Sequence, residues 1–165
     1  FNPIQSSFNL EKYFKFGNGE ETAKNLLIED GRIEREWLKP YTTKYDNVKN
    51  DFRGLYIFIH NSNPFYAGIS KGVIGRLIQH LKGKSHCTST LAYRIGLIIY
   101  ENVKGTPYRG ARNSFDFHEY VEPAKQFLLK QKVAIIPISN IEELAMFEIY
   151  CSMRLGTWLN DFETH

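Results

Sequence analysis

Tyr56, Tyr66, Arg76 and His80 follow one another at intervals of ten, ten and four residues. A guanidinium offers a planar fork suited to phosphate oxygens, and an imidazole accepts or relays a proton near neutral pH. A phenol has an ordinary pKa near ~10, so it serves as a base only beside cations or a basic partner, and His80 is the partner at hand. Arg76 and His80 are one helical turn apart and are expected on one side of a helix, away from Leu77, Ile78 and Leu81, as a phosphate clamp. The plainer alternative is a solvated charged face. Gly75 weighs against it, since a mid-helix glycine costs up to ~1 kcal/mol relative to alanine and suggests close backbone approach. Far downstream, Glu148 falls at helical spacing with Ile141, Leu144 and Ala145. A carboxylate on an apolar stripe demands a cation or strong donors, and a divalent metal also activates phosphate chemistry. An ion pair with Lys or Arg is the structural alternative.

The elements that must position these groups can be read from periodicity. Gly54 to His60 and Phe65 to Ser70 are rich in β-branched and aromatic residues and flank the turn-forming Asn61, Ser62, Asn63 and Pro64, which predicts a β-hairpin. It places Tyr56 and Tyr66 on neighbouring strands. Val73, Ile74, Leu77, Ile78 and Leu81 predict an amphipathic helix over Lys71 to Leu81. Leu91 to Tyr100 is nearly continuous apolar sequence and reads as helix ahead of strand, Phe115 to Lys130 as helix, and Val133 to Ile138 as a short strand interrupted by Pro137. Ser139 or Asn140 caps a last helix reaching about Leu155, with Glu142 or Glu143 at the reciprocal position. Upstream, Glu20 to Leu38 predicts an amphipathic helix.

The tripeptides GLY at Gly54 to Tyr56 and YAG at Tyr66 to Gly68, with Arg76, His80, Glu148 and Asn160 in the same order and spacing, resemble the GIY-YIG nuclease superfamily. The likeness covers Gly54 to His165; Leu55 and Ala67 replace the two isoleucines, both apolar strand substitutions. The histidine one turn beyond the arginine is closest to the restriction-enzyme branch. The resemblance implies an α+β fold, a small, mainly antiparallel central sheet flanked by helices, over residues 51–165; residues 1–50, with the helix predicted there, are expected to form an N-terminal helical extension. It implies one Mg²⁺ or Mn²⁺ per active site on Glu148, Tyr56 as the base or relay for the attacking water, Tyr66 positioning phosphate or water, and Asn160 orienting the group. The activity implied is metal-dependent DNA endonuclease, with type II restriction as one role. A structure-specific repair or recombination nuclease, or an inactive DNA-binding module of the same fold, stands as the alternative.

Composition bounds these readings. The chain has 165 residues, 42% of them hydrophobic, which suits one domain with one core. Its net charge of +3 is unremarkable, but no acidic residue lies between Asp51 and Glu101. Lys71, Lys82, Lys84 and Arg94 there, and Arg109 and Arg112 beyond, are candidate DNA-binding residues, with a solvated face as the alternative. DNA is the expected partner, and a homodimer is compatible with palindromic sites. No apolar run approaches a membrane span and none opens the chain as a signal peptide; with two cysteines, Cys87 and Cys151, a cytoplasmic location is expected. Those cysteines and His86 lack a fourth ligand for zinc. No E-x-K, H-N-H, P-loop or G-x-S-x-G pattern occurs.

Overall fold

Gly54–His60 (β1) and Asn63–Ser70 (β2) form the expected hairpin. The turn is tighter than the sequence suggests. Only Asn61 and Ser62 are in it, both with positive φ (48° and 66°), as in a two-residue turn matched to strand twist. Asn63 and Pro64 belong to β2, and a register shift after Phe58 leaves Phe65 as an extra residue. β1 is central: β2 pairs with one side of it and Lys132–Pro137 (β3) with the other, all antiparallel. Pro137 ends β3 opposite Gly54 rather than interrupting it. The computed structural model describes residues 51–105 and 117–160, with short strand segments at 15–18, 39–40 and 50; segment 15–18 pairs antiparallel with β3. The predicted helix over Glu20 to Leu38, and Arg109 and Arg112, lie outside the described residues.

Among the described residues four helices complete this α+β arrangement: Val73–Lys82 (α1), Thr90–Lys104 (α2), Phe117–Leu129 (α3) and Ile141–Leu155 (α4). The strand side chains alternate between two cores. Tyr56, Phe58, Val133 and Ile135 pack on one face with Val73, Ile74, Leu77 and Ile78 of α1, Leu91 of α2 and Leu128 of α3. Leu55, Ile57, Ala67 and Ala134 pack on the other with Leu144 and Cys151 of α4. Each fully buried large side chain stabilises the fold by about 1.5–3 kcal/mol, so the sheet is clamped from both sides. No helix among the described residues is long and apolar enough to cross a membrane.

Helix starts are secured by specific acceptors. Asn140 caps α4 by accepting the Glu143 N–H at 2.8 Å, as its position predicts. α1 has no acidic residue in its first turn and Gly72 supplies no side-chain cap. Buried Asp51 does this from outside the helix, accepting the N–H groups of Ile74 (2.9 Å) and Gly75 (2.8 Å) as well as that of Phe52 (2.7 Å). Asp51 thereby fastens α1 to the start of the hairpin.

Candidate active site

Tyr56 lies opposite Gly68 in the β1–β2 register, and Tyr66 opposite Phe58, so the two tyrosines share the α1 face of the sheet on a diagonal. Their ring centroids are 6.2 Å apart. Gly68 is what makes the arrangement fit. A Cβ there would stand 2.6 Å from Tyr56 Oη and 2.7 Å from its Cζ, so the Tyr56 ring occupies space that any other residue would fill. The last residue of the YAG tripeptide therefore has a steric role in placing the first tyrosine.

His80 does not project away from Leu77, Ile78 and Leu81 as the spacing suggested. It is fully buried, because α1 is covered by the sheet, α2 and α3 and seven of its ten residues are inside. Its ring packs against Tyr56, Phe58 and Tyr66, with centroids 5.8, 6.3 and 6.1 Å away. Nε2 is 2.9 Å from Tyr56 Oη. Nδ1 accepts the Leu91 N–H from the first turn of α2 at 3.4 Å, and the Ser89 hydroxyl donates to the His80 carbonyl at 2.7 Å. A neutral imidazole that accepts at Nδ1 carries its proton on Nε2, so His80 donates to the Tyr56 oxygen. Burial, and then the Arg76 charge, push His80 well below the ordinary histidine range, which keeps it neutral.

Arg76 is half-buried and tethered, donating to Gln79 Oε1 at 3.0 Å and to Thr90 Oγ1 at 3.2 Å. Its charge favours the ionised forms of both tyrosines. Burial is the larger effect, however, and with the neighbouring Tyr66 holds Tyr56 well above the usual phenol range. Burial also raises Tyr66, opposed by its hydrogen bond to Tyr56 and by the charges of Arg76 and Arg94. In the free protein both are phenols.

α1 and α4 lie on opposite faces of the sheet, so Glu148 can join the tyrosines only around the outer edge of β2. That edge is closed by C-terminal groups. Leu159 N–H donates to the Phe65 carbonyl at 3.0 Å. The Asn160 side chain takes both groups of Ala67, accepting its N–H at 2.8 Å and donating to its carbonyl at 2.6 Å. The Ile69 N–H faces the Glu148 carboxylate. Glu148 is close enough to Tyr66 to oppose its ionisation. Desolvation raises the Glu148 pKa with only that backbone N–H opposing, and among the described residues no cation pairs with it. Ile141 and Ala145, expected on the same inward stripe, face solvent; the inward neighbours are Leu144, Cys151 and Ser152, whose Oγ is buried without a partner.

The remaining expected residues are dispersed. Lys71, Lys82 and Lys84 are exposed around α1, whereas Arg94 is turned inward, donating to the Leu159 carbonyl at 3.0 Å. Cys87 is exposed beside His86 (3.2 Å), and Cys151 is buried under the sheet with its thiol pushed up to about 11, so they belong to separate parts of the fold. Sequence reading missed Asp51, Gln79, Thr90 and the Leu91 N–H. Asp51 had one signal, as the acid that immediately precedes the acid-free stretch. No family model matches the chain, and no curated protein or solved structure matches it either.

Proposed function

We propose that the chain is a divalent-metal-dependent endonuclease of the GIY-YIG type that hydrolyses DNA phosphodiester bonds, with restriction as the role favoured by the His80 position. The observation that carries the reading is the buried hydrogen bond between Tyr56 and His80, with Tyr66 and Arg76 around it and Glu148 at the adjoining strand edge. Tyr56, Tyr66, Arg76 and His80 meet where the hairpin packs on α1.

In this reading Arg76 binds the phosphate and neutralises charge developing on it, since its fork is already oriented by Gln79 and Thr90. Tyr66 orients the phosphate or the water. Tyr56 takes the water proton in its phenolate form, which burial opposes and which Arg76 and the His80 Nε2–H favour. His80 acts through Tyr56 and does not touch phosphate. Asn160 holds the β2 edge against which Glu148 rests.

The donors fit a metal of the Mg²⁺ or Mn²⁺ class. Glu148 is a desolvated carboxylate oxygen donor without a cationic partner among the described residues, and among these no group of three or more His, Cys, Asp and Glu gathers anywhere. A hard cation that keeps several waters and takes substrate phosphate oxygens needs one or two carboxylates, so Glu148 would hold it. Bound there, such an ion supplies charge to the phosphate and the leaving oxygen.

Plasmid and phage DNA incubated with Mg²⁺, Mn²⁺ or EDTA, using wild type and Glu148→Ala purified identically, tests the reading. Discrete bands that disappear with EDTA and in the variant are expected. Absence of cleavage on every substrate with DNA binding retained would replace the enzyme by a binding module.

A further inference from the structure

α4 has two apolar faces. Leu144, Phe147, Cys151 and Leu155 pack on the sheet. On the opposite side Met146, Ile149, Tyr150 and Met153, spaced i, i+3, i+4 and i+7, are 73, 50, 43 and 77% exposed. An uninterrupted stripe of four large exposed side chains on the side away from the sheet differs from the singly scattered apolar residues of an ordinary surface and marks an interaction face.

The charges that frame this stripe indicate what covers it. Glu142 and Glu143 lie exposed in the first turn and Arg154 in the last. Glu143 and Arg154 are eleven residues apart, about three turns, so they flank the stripe on the same side. When two copies of one helix pair antiparallel about a two-fold axis, same-side flanking positions face each other. With the axis between Ile149 and Tyr150, Met146 of one copy meets Met153 of the other, and Glu143 comes within two residues, about 3 Å of rise, of Arg154 at both ends. The helix dipoles also run in opposition, which favours the antiparallel arrangement.

We propose that the outer face of α4 is a homodimer interface in which two copies of this chain pair their α4 helices antiparallel across the Ile149–Tyr150 dyad. The interface stands on exposure, spacing and charge and does not depend on the nuclease reading. If the protein cuts duplex DNA, the dyad relates two sites as a palindrome relates its two strands.

Sedimentation equilibrium of the full chain tests this. Wild type is expected to show a concentration-dependent dimer. Ile149→Glu, at a side chain that leaves the core untouched, is expected to give a monomer with a native circular dichroism spectrum. Arg154→Glu, and the pair Glu142→Lys with Glu143→Lys, are each expected to weaken association at least about tenfold by setting like charges together at both ends. Mixing the two charge variants is expected to restore the dimer, because every end contact then joins opposite charges. A wild type that is monomeric at every concentration overturns the proposal, and a lowered unfolding temperature of Ile149→Glu in such a monomer would assign the face to another segment of the same chain. A dimer indifferent to Ile149→Glu, or a mixture that fails to recover, overturns it equally.

Discussion

Gly68→Ala isolates the placement of Tyr56 from its chemistry. The added methyl carbon would stand 2.6 Å from Tyr56 Oη, and ordinary contact begins at 3.4 Å, so the hydroxyl must retreat by about 0.8 Å. The ring has little room to do so, with Phe58, Tyr66 and His80 centroids 6.2, 6.2 and 5.8 Å away. A shift of that size takes the 2.9 Å contact with His80 out of bonding range, or drives it into overlap, depending on direction. Misplacing a reacting group by about 1 Å costs about 10²-fold in rate. The stability cost is smaller in effect: overpacking a core costs about 1–3 kcal/mol, and replacing a strand glycine returns roughly 0.5–1 kcal/mol of it.

Single-turnover cleavage of supercoiled plasmid in Mg²⁺, beside thermal unfolding by circular dichroism, separates the two effects. The expected variant is folded, slightly less stable and about a hundredfold slower. Adding Tyr56→Phe removes the nearest clashing atom, so the double variant recovers part of the lost stability while cutting no faster than Tyr56→Phe alone, a non-additivity that marks direct contact. An unchanged cleavage rate in folded Gly68→Ala would refute the claim that Tyr56 must sit where it does.

Further outcomes follow from the electrostatics and the strand edge. Glu148→Gln should abolish metal-dependent cleavage, by at least ~10²-fold, and raise the unfolding temperature at neutral pH. The folded carboxyl binds its proton more tightly than the unfolded one, so the stability it contributes is full at low pH and is lost as pH rises through the raised folded pKa. His80 has the opposite sense. Its folded pKa is depressed, so wild type loses stability as pH falls below the ordinary histidine value of 6.5, and His80→Asn should lose less between neutral and mildly acidic pH in the same thermal assay. Because Tyr56 is raised and reacts as a phenolate, the cleavage rate should climb with pH across the neutral and alkaline range. His80→Asn should lower that line without changing its slope, and a bell-shaped profile removed by His80→Asn would show instead that His80 accepts the proton. Asn160→Asp keeps the acceptor for the Ala67 N–H but leaves the Ala67 carbonyl facing a second acceptor, and should cost about 1–3 kcal/mol by denaturant unfolding.

What periodicity can report is the covalent neighbourhood of each element, and there the sequence was a good guide: the hairpin, the four helices and the Asn140 cap are set by residues within a turn or two of one another. It misled where an element has more than one partner. The α1 pattern assigns His80 to a polar side on the premise of one buried face, but α1 has the sheet, α2 and α3 around it, and the histidine is inside. α4 carries apolar residues on both sides, so the pattern could not supply its phase, and Ile141 and Ala145 lie outside rather than in. Least legible are the contacts made to backbone. Asp51 accepts from Gly75, Leu91 donates to His80, Asn160 pairs with Ala67, and Gly68 leaves room for a hydroxyl from the next strand. A backbone partner imposes no residue type at its own position, so no pair of letters records the contact. Of these, Gly68 alone marks its side of the bargain in the sequence, because only the absence of a side chain could make the room that Tyr56 needs.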